Sequence, residues 1–314
     1  MNAMNKIEPA VLRGTGAYAP MPGRTSKLKS AEEAFAAVKD GMVLAMTCAH
    51  FNSVPLAAMR QIIRQGTKNL AIIPTPSAGI AIDLLIAAKA LKKTFVSYVG
   101  LETHGLAPNF QRAVEAGEIE ISEIDEATVI YGLRAAAAAL PYAVVPAFYK
   151  LHSLPKVNPG LFKEITDPFT GETCFAMRPL KPDVTILHVQ QCDEYGNARQ
   201  LAGEHTEMLM AKAADHVIIT AEEIIPHQMV VADPTRTTVP SFLVNSVVRM
   251  QYGAHPGSCP VRYSQDDPHL AEYARLAREG RTSDYIRTYV HECRDHAAYL
   301  DRIGASHLLN LNLY

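Results

Sequence analysis

The sequence predicts an α/β fold, an open and mainly parallel sheet with helices on both faces. Two observations lead there. From Met42 onward, short apolar runs of strand type alternate with segments of helical period, the order expected of parallel strands joined by crossover helices. The chain is also long and apolar enough, with 314 residues that are 48% hydrophobic, to bury a large core.

Residues 1–27 are rich in Pro, Gly and Lys and read as an irregular arm; residues 28–314 read as one domain. In "KSAEEAFAAVKDG", Ser30 suits an N-cap, Glu33 holds the capping-box position, and Gly41 stops the helix. "MVLAMT" is the first strand. "SVPLAAMRQIIRQG" follows as a helix, with Ser53 expected at the cap and Pro55 in the first turn. "NLAIIPT" is a strand, "GIAIDLLIAAKALKK" a helix and "TFVSYVG" a third strand. "GLAPNFQRAVEAG" is helical, "IEISEI" extended and "EATVIYGLRAAAAALP" an Ala-rich helix. Residues 141–181 are a Pro-rich excursion with a β-hairpin around "DPFTGET". Strand "DVTILHV", helix "TEMLMAKAAD" and strand "HVIITAEEI" restore the alternation, and an irregular section runs to Asp267. Two amphipathic helices, spanning 267–304, close the chain.

A formal charge of −2 gives no electrostatic case for nucleic acid or an anionic membrane. No apolar run reaches the roughly 18 residues of a membrane span. The first residues lack the apolar core of a secretory signal. Five scattered Cys without CxxC spacing fit reduced thiols in a cytoplasmic protein.

In an open parallel sheet, ligands sit beyond the carboxyl ends of the strands. The segments there are "CAHFNSVP", "PTPSAG", "GLETHGLAPNF", "DEATVIYG", "QCDEYGNARQLAG" and "AEEIIPHQ", together rich in Gly, Asn, Ser, Glu and His. GxGxxG, GxxxxGKS and GxSxG are all absent. Asn52-Ser53 reads equally as an ordinary helix cap or as an anion-binding helix N-terminus. His50, His104, His188, His205 and His255 form no HxH or HExxH pair, so no metal site is expected. Glu102, Asp125-Glu126, Asp193-Glu194 and Glu222-Glu223 follow strands. A carboxylate there serves as nucleophile or base if partly desolvated, and otherwise as a solvated acid or helix-terminal charge. Gly196-Asn197 suits a tight turn, placed where it shapes a cleft or a subunit contact.

Taken in order, "DGMVLAM", "IDLLIAAKALKKTFVSYVGLETHGLAPNFQRAVEAGEIEISEIDEATVIYGLRAAAAALPY", "VNPGLFKEITDPFTGE", "PDVTILHVQQCDEYGNARQLAG", "AADHVIITAEEII" and "VPSFLVNSVV…YGAHPGSCPVRYSQDDPHLAEY" resemble the α subunit of family I CoA-transferases, in the glutaconate CoA-transferase group. The resemblance covers roughly residues 28 to 305. It implies the sheet type shared by ribose-phosphate isomerase, glucosamine-phosphate deaminase and CoA-transferases. It also implies ping-pong acyl transfer: a glutamate attacks an acyl-CoA to give an acyl-glutamyl anhydride, then a glutamyl-CoA thioester, and the acceptor acid takes the CoA. In two-chain members the β subunit carries that glutamate, and its Glu-Asn-Gly signature is missing from this chain. The resemblance therefore implies a β partner, an α2β2 or larger assembly, a CoA thioester and a dicarboxylic or oxo acid as substrates, and no bound cofactor. It assigns pocket and oxyanion roles to Asn52, Ser53, Ser77, Gly100 and Glu102. It gives Glu126 the catalytic place where simpler members carry an oxyanion Gln, a role a glutamate fills only when protonated. "TCAHFNS" stands where short-chain members have a glycine-rich turn, which points to an acid other than acetoacetate. A related steroid ring-cleaving hydrolase supplies the alternative, with Glu126 as base. A non-enzymatic CoA-binding scaffold of the same fold is a third reading.

Overall fold

The computed structural model describes residues 23–146 and 153–313. Along the chain the strands are β1 (Val43–Cys48), β2 (Leu70–Pro76), β3 (Leu91–Val96), β4 (Glu120–Glu123), β5 (Ala143–Val145), β6 (Phe162–Thr166), β7 (Thr173–Met177), β8 (Val184–Asp193), β9 (Ala198–Arg199), β10 (His216–Ile225) and β11 (Ser246–Arg249). The main sheet runs β11-β10-β8-β1-β2-β3-β4, with β9 added to β8. Every neighbouring pair along that path is parallel; only the β8–β9 hairpin is antiparallel.

Both faces of this sheet are buried, and the period-2 geometry of a strand divides its residues between them. Leu44, Met46, Ile72, Ile186, Ile218 and Val248 join the core under helices Ala31–Phe35, Leu56–Arg64, Ile80–Ala87 and Asp267–Arg278. Their immediate neighbours Ala45, Ile73, Leu187, Ile219 and Val247 face the opposite core, under helices Glu126–Ala137 and Glu207–Ala213. Each such Leu or Ile contributes about 1.5–3 kcal/mol through burial.

Several elements depart from the sequence reading. Helix Leu56–Arg64 is capped by Pro55 without a side-chain bond, and Ser53 lies before it in the left-handed region at φ 52°. The third strand begins at Leu91: the helix stops at Ala87 and Lys89 takes φ 55°, so "LKK" belongs to the strand. The irregular section before Asp267 holds β11, an edge strand that Leu28 bridges. The last predicted helix is broken into Thr282–Ile286, a π turn over Arg287–His291, and His296–Ile303, where the side chain of Asp295 accepts from the Ala298 amide. A further helix follows at Ala305–Asn310. Most of the expected irregular arm, residues 1–22, lies outside the described residues. The excursion forms a second, antiparallel sheet, β5-β7-β6, whose β6–β7 hairpin turns at "DPFTGET". No helix among the described residues is long and apolar enough to cross a membrane.

"DEYGNAR" is the turn of the β8–β9 hairpin. The buried Asp193 carboxylate accepts from the amides of Tyr195 (3.0 Å) and Asn197 (2.8 Å), from Asn197 Nδ2 (2.7 Å) and from His227 Nδ1 (2.7 Å). Gly196 sits at φ 96°, and a Cβ there would lie 2.8 Å from Val244, so the position excludes a side chain. The stretch is a pinned structural turn.

Candidate active site

The chain builds outward from β1 to β4 and then returns to β8 on the other side of β1. That reversal marks the ligand-binding edge of such a sheet. Strands β1 and β8 pair only from Leu44 to Met46 and then separate. The gap is filled by the chain itself: the buried Glu207 carboxylate accepts from Gln200 Nε2 (3.1 Å) and the His205 amide (2.7 Å), with Thr47 Oγ1 at 3.4 Å. The accessible rim is beside it, in the loops that follow β1, β2 and β3.

Those loops are fastened to one another. The Ser77 hydroxyl donates to the Cys48 carbonyl (3.0 Å) and the Gly100 amide to the Ala78 carbonyl (3.1 Å). The Ser53 amide donates to the Ser258 carbonyl (2.8 Å) and the Ser258 amide to the Phe51 carbonyl (2.9 Å). Gly257 is required here, since a Cβ would stand 2.4 Å from the Phe51 carbonyl oxygen. The helix N-terminus offered as an anion site is already occupied, because the Ala57 amide donates to Gly253 O (2.8 Å).

On this scaffold His50 and Glu102 are both held in the left-handed region, at φ 57° and 52°, uncommon for side chains other than Gly, Asn or Asp. His50 Nδ1 and Glu102 Oε1 are hydrogen-bonded to each other across the rim. Their side chains are 57% and 35% exposed. Tyr98 bends back over Gly100 so closely that a Cβ on Gly100 would lie 1.8 Å from the phenol oxygen. Burial, and then the Glu102 charge, push the Tyr98 hydroxyl above its ordinary pKa. Tyr98 and Leu106 are apolar side chains exposed on the same loop.

Of the five pocket residues singled out in the sequence, Asn52 and Glu102 present functional groups outward. Ser258 Oγ donates to Asn52 Oδ1, which leaves the Nδ2 amide as the outward donor. Ser53 and Ser77 are buried and brace the loops, and Gly100 makes room for Tyr98. Glu126 opens helix Glu126–Ala137 behind the N-cap Asp125, at the end of the edge strand. It is exposed, and among the described residues its carboxylate makes no hydrogen bond or ion pair. His50 was legible only as a possible metal ligand, and nothing in the sequence pairs it with Glu102.

The donor set nearest to a metal centre among the described residues is His188, Glu222 and Cys259, with ligand atoms within 4.8 Å of one another. All are buried. Glu222 faces His188 Nε2 (2.7 Å), the amides of Tyr252 (2.7 Å) and Gly253 (3.0 Å) and the Tyr263 hydroxyl (2.8 Å). Burial alone would raise the Glu222 carboxyl, but the His188 hydrogen bond and charge, with those donors, bring it below its ordinary value. Burial pushes the Cys259 thiol up, away from the thiolate a metal needs. These contacts give the cluster a structural account as a satisfied core histidine.

The fold and this rim together define an open parallel α/β scaffold whose ligand edge lies at the loops after β1, β2 and β3, and the comparisons with known proteins name its class. Residues 28–250 match the Coenzyme A transferase family, and the chain belongs to it. It is 30% identical over 275 residues to the α subunit of glutaconate CoA-transferase from Acidaminococcus fermentans, covering 82% of this chain and 86% of that protein. It is 32% identical to the corresponding subunit of 3-oxoadipate CoA-transferase from Pseudomonas knackmussii, covering 88% and 97%. A cholesterol ring-cleaving hydrolase IpdA subunit of Mycobacterium tuberculosis is 26% identical, covering 91% and 100%. The chain also spans 63% of the length of a 36%-identical protein of Archaeoglobus fulgidus. Among solved structures, glutaconate coenzyme A-transferase of Acidaminococcus fermentans superposes with a TM-score of 0.86 at 29% identity, covering 92% of this chain and 96% of that one. A variant of the decarboxylase AibA/AibB gives 0.77 at 32% identity, covering 84% and 98%.

Proposed function

We propose that this chain is the α subunit of a heteromeric CoA-transferase that moves CoA between an acyl-CoA and a dicarboxylic or oxo acid, with the attacking glutamate on a β partner. The observation that carries this reading is the exposed His50–Glu102 pair at the carboxyl edge of the sheet, flanked by the exposed Tyr98 and Leu106. Charged and apolar groups lying open together fit a surface that a second chain completes. The glutaconate and 3-oxoadipate transferase relatives support the same assignment.

In this role Asn52 Nδ2 donates to the thioester oxygen as charge develops on it, the form of stabilisation that costs no rearrangement at the moment of reaction. Ser53, Ser77 and Gly100 hold that donor and the acyl wall in place. Glu102 and His50 exchange a proton with the acid or the departing thiol, which confines the proton to the cleft. Glu126, given the catalytic place by the sequence, has no partner to position it among the described residues, and the geometry favours Glu102 for proton transfer. The same pair supports hydrolysis as a second reading: if the partner has no nucleophilic glutamate, Glu102 or Glu126 activates water against the CoA thioester, as the similarity to a ring-cleaving hydrolase subunit suggests.

The test is reconstitution. Co-expressed with its β chain, the protein is expected to exchange CoA between an acyl-CoA and a free acid, and hydroxylamine or borohydride trapping is expected to mark the β chain. Thioester hydrolysis without an acceptor acid would favour the second reading. A trapped adduct on Glu102 or Glu126, or brisk exchange by this chain alone, would overturn the division of labour.

A further inference from the structure

A cavity lies away from the rim, between the main sheet and the antiparallel insertion, with a volume of about 440 Å³. Its floor follows from strand register. Val43 pairs with Ala71, which pairs with Lys93; two residues on, Phe95 pairs with Ser122. Residues two apart share a face of a strand, so Val43, Ile73, Lys93, Phe95 and Ser122 look the same way, toward the insertion. The roof is residues 158–161 and 178–181. It is fastened down: Asn158 Nδ2 donates to Glu123 O (2.7 Å), the Arg178 amide to Leu161 O (2.8 Å) and the Leu180 amide to Gly132 O (3.0 Å). A Cβ on Gly132 would lie 2.5 Å from Leu180 Cγ, so that helix accepts the roof only as glycine.

The walls are cationic as well as apolar. Lys93, Arg178 and Lys181 line the cavity, and among the described residues no carboxylate does. Lys93 Nζ lies 5.3 Å from the Phe95 ring centroid and 3.8 Å from Glu120 Oε2. Lys181 lies 2.7 Å from Asp215 Oδ1. Both ion pairs are exposed, of the kind worth at most about 1 kcal/mol, and a ligand can compete for these ammonium groups. Arg178 has no carboxylate partner among the described residues. A fixed, preformed space of this size, with apolar side chains on floor and roof and cationic groups among them, is the form of a small-molecule site. None of Asn52, Ser53, Ser77, Gly100 or Glu102 touches it.

We propose that this cavity binds a small organic anion with an apolar body, of the aryl or branched carboxylate class, its charge against Arg178 and its body on Phe95, Ile73 and Leu180. Titration calorimetry of the full chain, alone and co-purified with its β partner, tests it with three probes: 2-naphthoate, the uncharged 2-naphthol and inorganic phosphate. Saturable binding of 2-naphthoate is expected, and weak or no binding of the other two. Arg178→Gln is expected to weaken 2-naphthoate roughly tenfold, as loss of a charge-assisted hydrogen bond does, with Lys93→Gln weaker in effect and Glu102→Gln without effect. Thermal melts of each variant show that it is folded. The proposal is overturned if 2-naphthoate does not saturate. It is equally overturned if 2-naphthol binds as well, if phosphate binds as well, or if Arg178→Gln and Lys93→Gln both bind as the unaltered protein does. Loss of binding in Glu102→Gln alone would place the anion in the rim and overturn it too.

Discussion

Among the described residues two His–Glu pairs stand at the carboxyl side of the sheet, and their settings differ in nearly every respect. His188 and Glu222 face each other from the adjacent parallel strands β8 and β10, both sealed from water. Every donor around Glu222 is accounted for. His50 and Glu102 face each other from two loops, on left-handed backbone, more than a third exposed in each side chain. The same two residue types thus serve opposite ends. A buried, fully hydrogen-bonded pair fixes β8, β10 and the 252–263 loop as one unit. An exposed pair on constrained loops is open to solvent and, in the role proposed above, to a substrate, and its constraint is carried by the fastened loops around it.

The sealed pair should yield the largest effect. Glu222→Ala leaves His188, two amides and the Tyr263 hydroxyl without an acceptor, and it is expected to cost about 3–5 kcal/mol of stability in a denaturant titration. The contribution has a pH signature. Because the folded-state carboxyl lies below its ordinary value of 4.5, its stabilisation is fully present above that pH. It is lost as pH falls through the folded value, since the unfolded chain takes up the proton first. The unaltered protein should therefore lose thermal stability more steeply than Glu222→Gln below pH 4.5. Parallel curves would mean that Glu222 is not ionised in the fold.

The open pair should behave in reverse. Glu102→Gln is expected to change stability by less than about 0.5 kcal/mol, as surface substitutions do. It is expected to lower kcat of the assembled enzyme by about a hundredfold, the low end for loss of a positioned proton-transfer group. Glu126→Gln, measured beside it, separates the two candidates: an equal or larger loss there would return the catalytic place to Glu126.

These pairs also mark how far the sequence could be read. Strand and helix alternation was legible because each element carries its own period, and the rim loops were legible because they follow strands. What was not legible was contact between distant segments. His50 and Glu102 are 52 residues apart, and His188 and Glu222 are 34 apart; nothing local to either member signals its partner. β11 was hidden by being four residues long in a Pro-rich stretch. Strand β8 was read short because its last residues, Gln190, Gln191 and Asp193, are polar, while the fold buries Gln190 and Asp193 against hydrogen-bonding neighbours. The break in the last helix had a local signal, Asp295 as an N-cap, which the surrounding apolar period masked.

Two glycines sharpen the comparison one step further. Gly253 backs the sealed pair, and a Cβ there would stand 2.5 Å from His188 Cε1 and 2.7 Å from the Met250 carbonyl. Neither can move without disturbing β8 or the loop, so Gly253→Ala is expected to cost about 1–3 kcal/mol of stability. Gly100 backs the open pair, and what a Cβ would meet is the Tyr98 ring, 40% exposed and able to swing outward. Gly100→Ala is therefore expected to leave stability within about 1 kcal/mol, since the crowding is relieved by one surface rotamer. Its effect should fall on the substrate: with Tyr98 displaced, the ratio of kcat/KM for a long over a short acyl-CoA shifts by roughly tenfold, as a pocket wall of methylene size does. An unchanged ratio would show that Tyr98 does not contact the acyl chain.

The smallest expected effect is the coupling between His50 and Glu102 in stability. Exposed ion pairs typically contribute about 0.2–1 kcal/mol, and salt screens them. A double-mutant cycle with His50→Gln and Glu102→Gln should return a coupling in that range, shrinking as ionic strength rises. The same cycle run on kcat should return a larger coupling, because groups that act as a unit in the reaction fail together. If the stability coupling instead exceeded about 2 kcal/mol and ignored salt, the rim pair would have the energetics of a buried, hydrogen-bonded charge. The difference between a structural pair and a working one would then collapse, since both would be holding the fold.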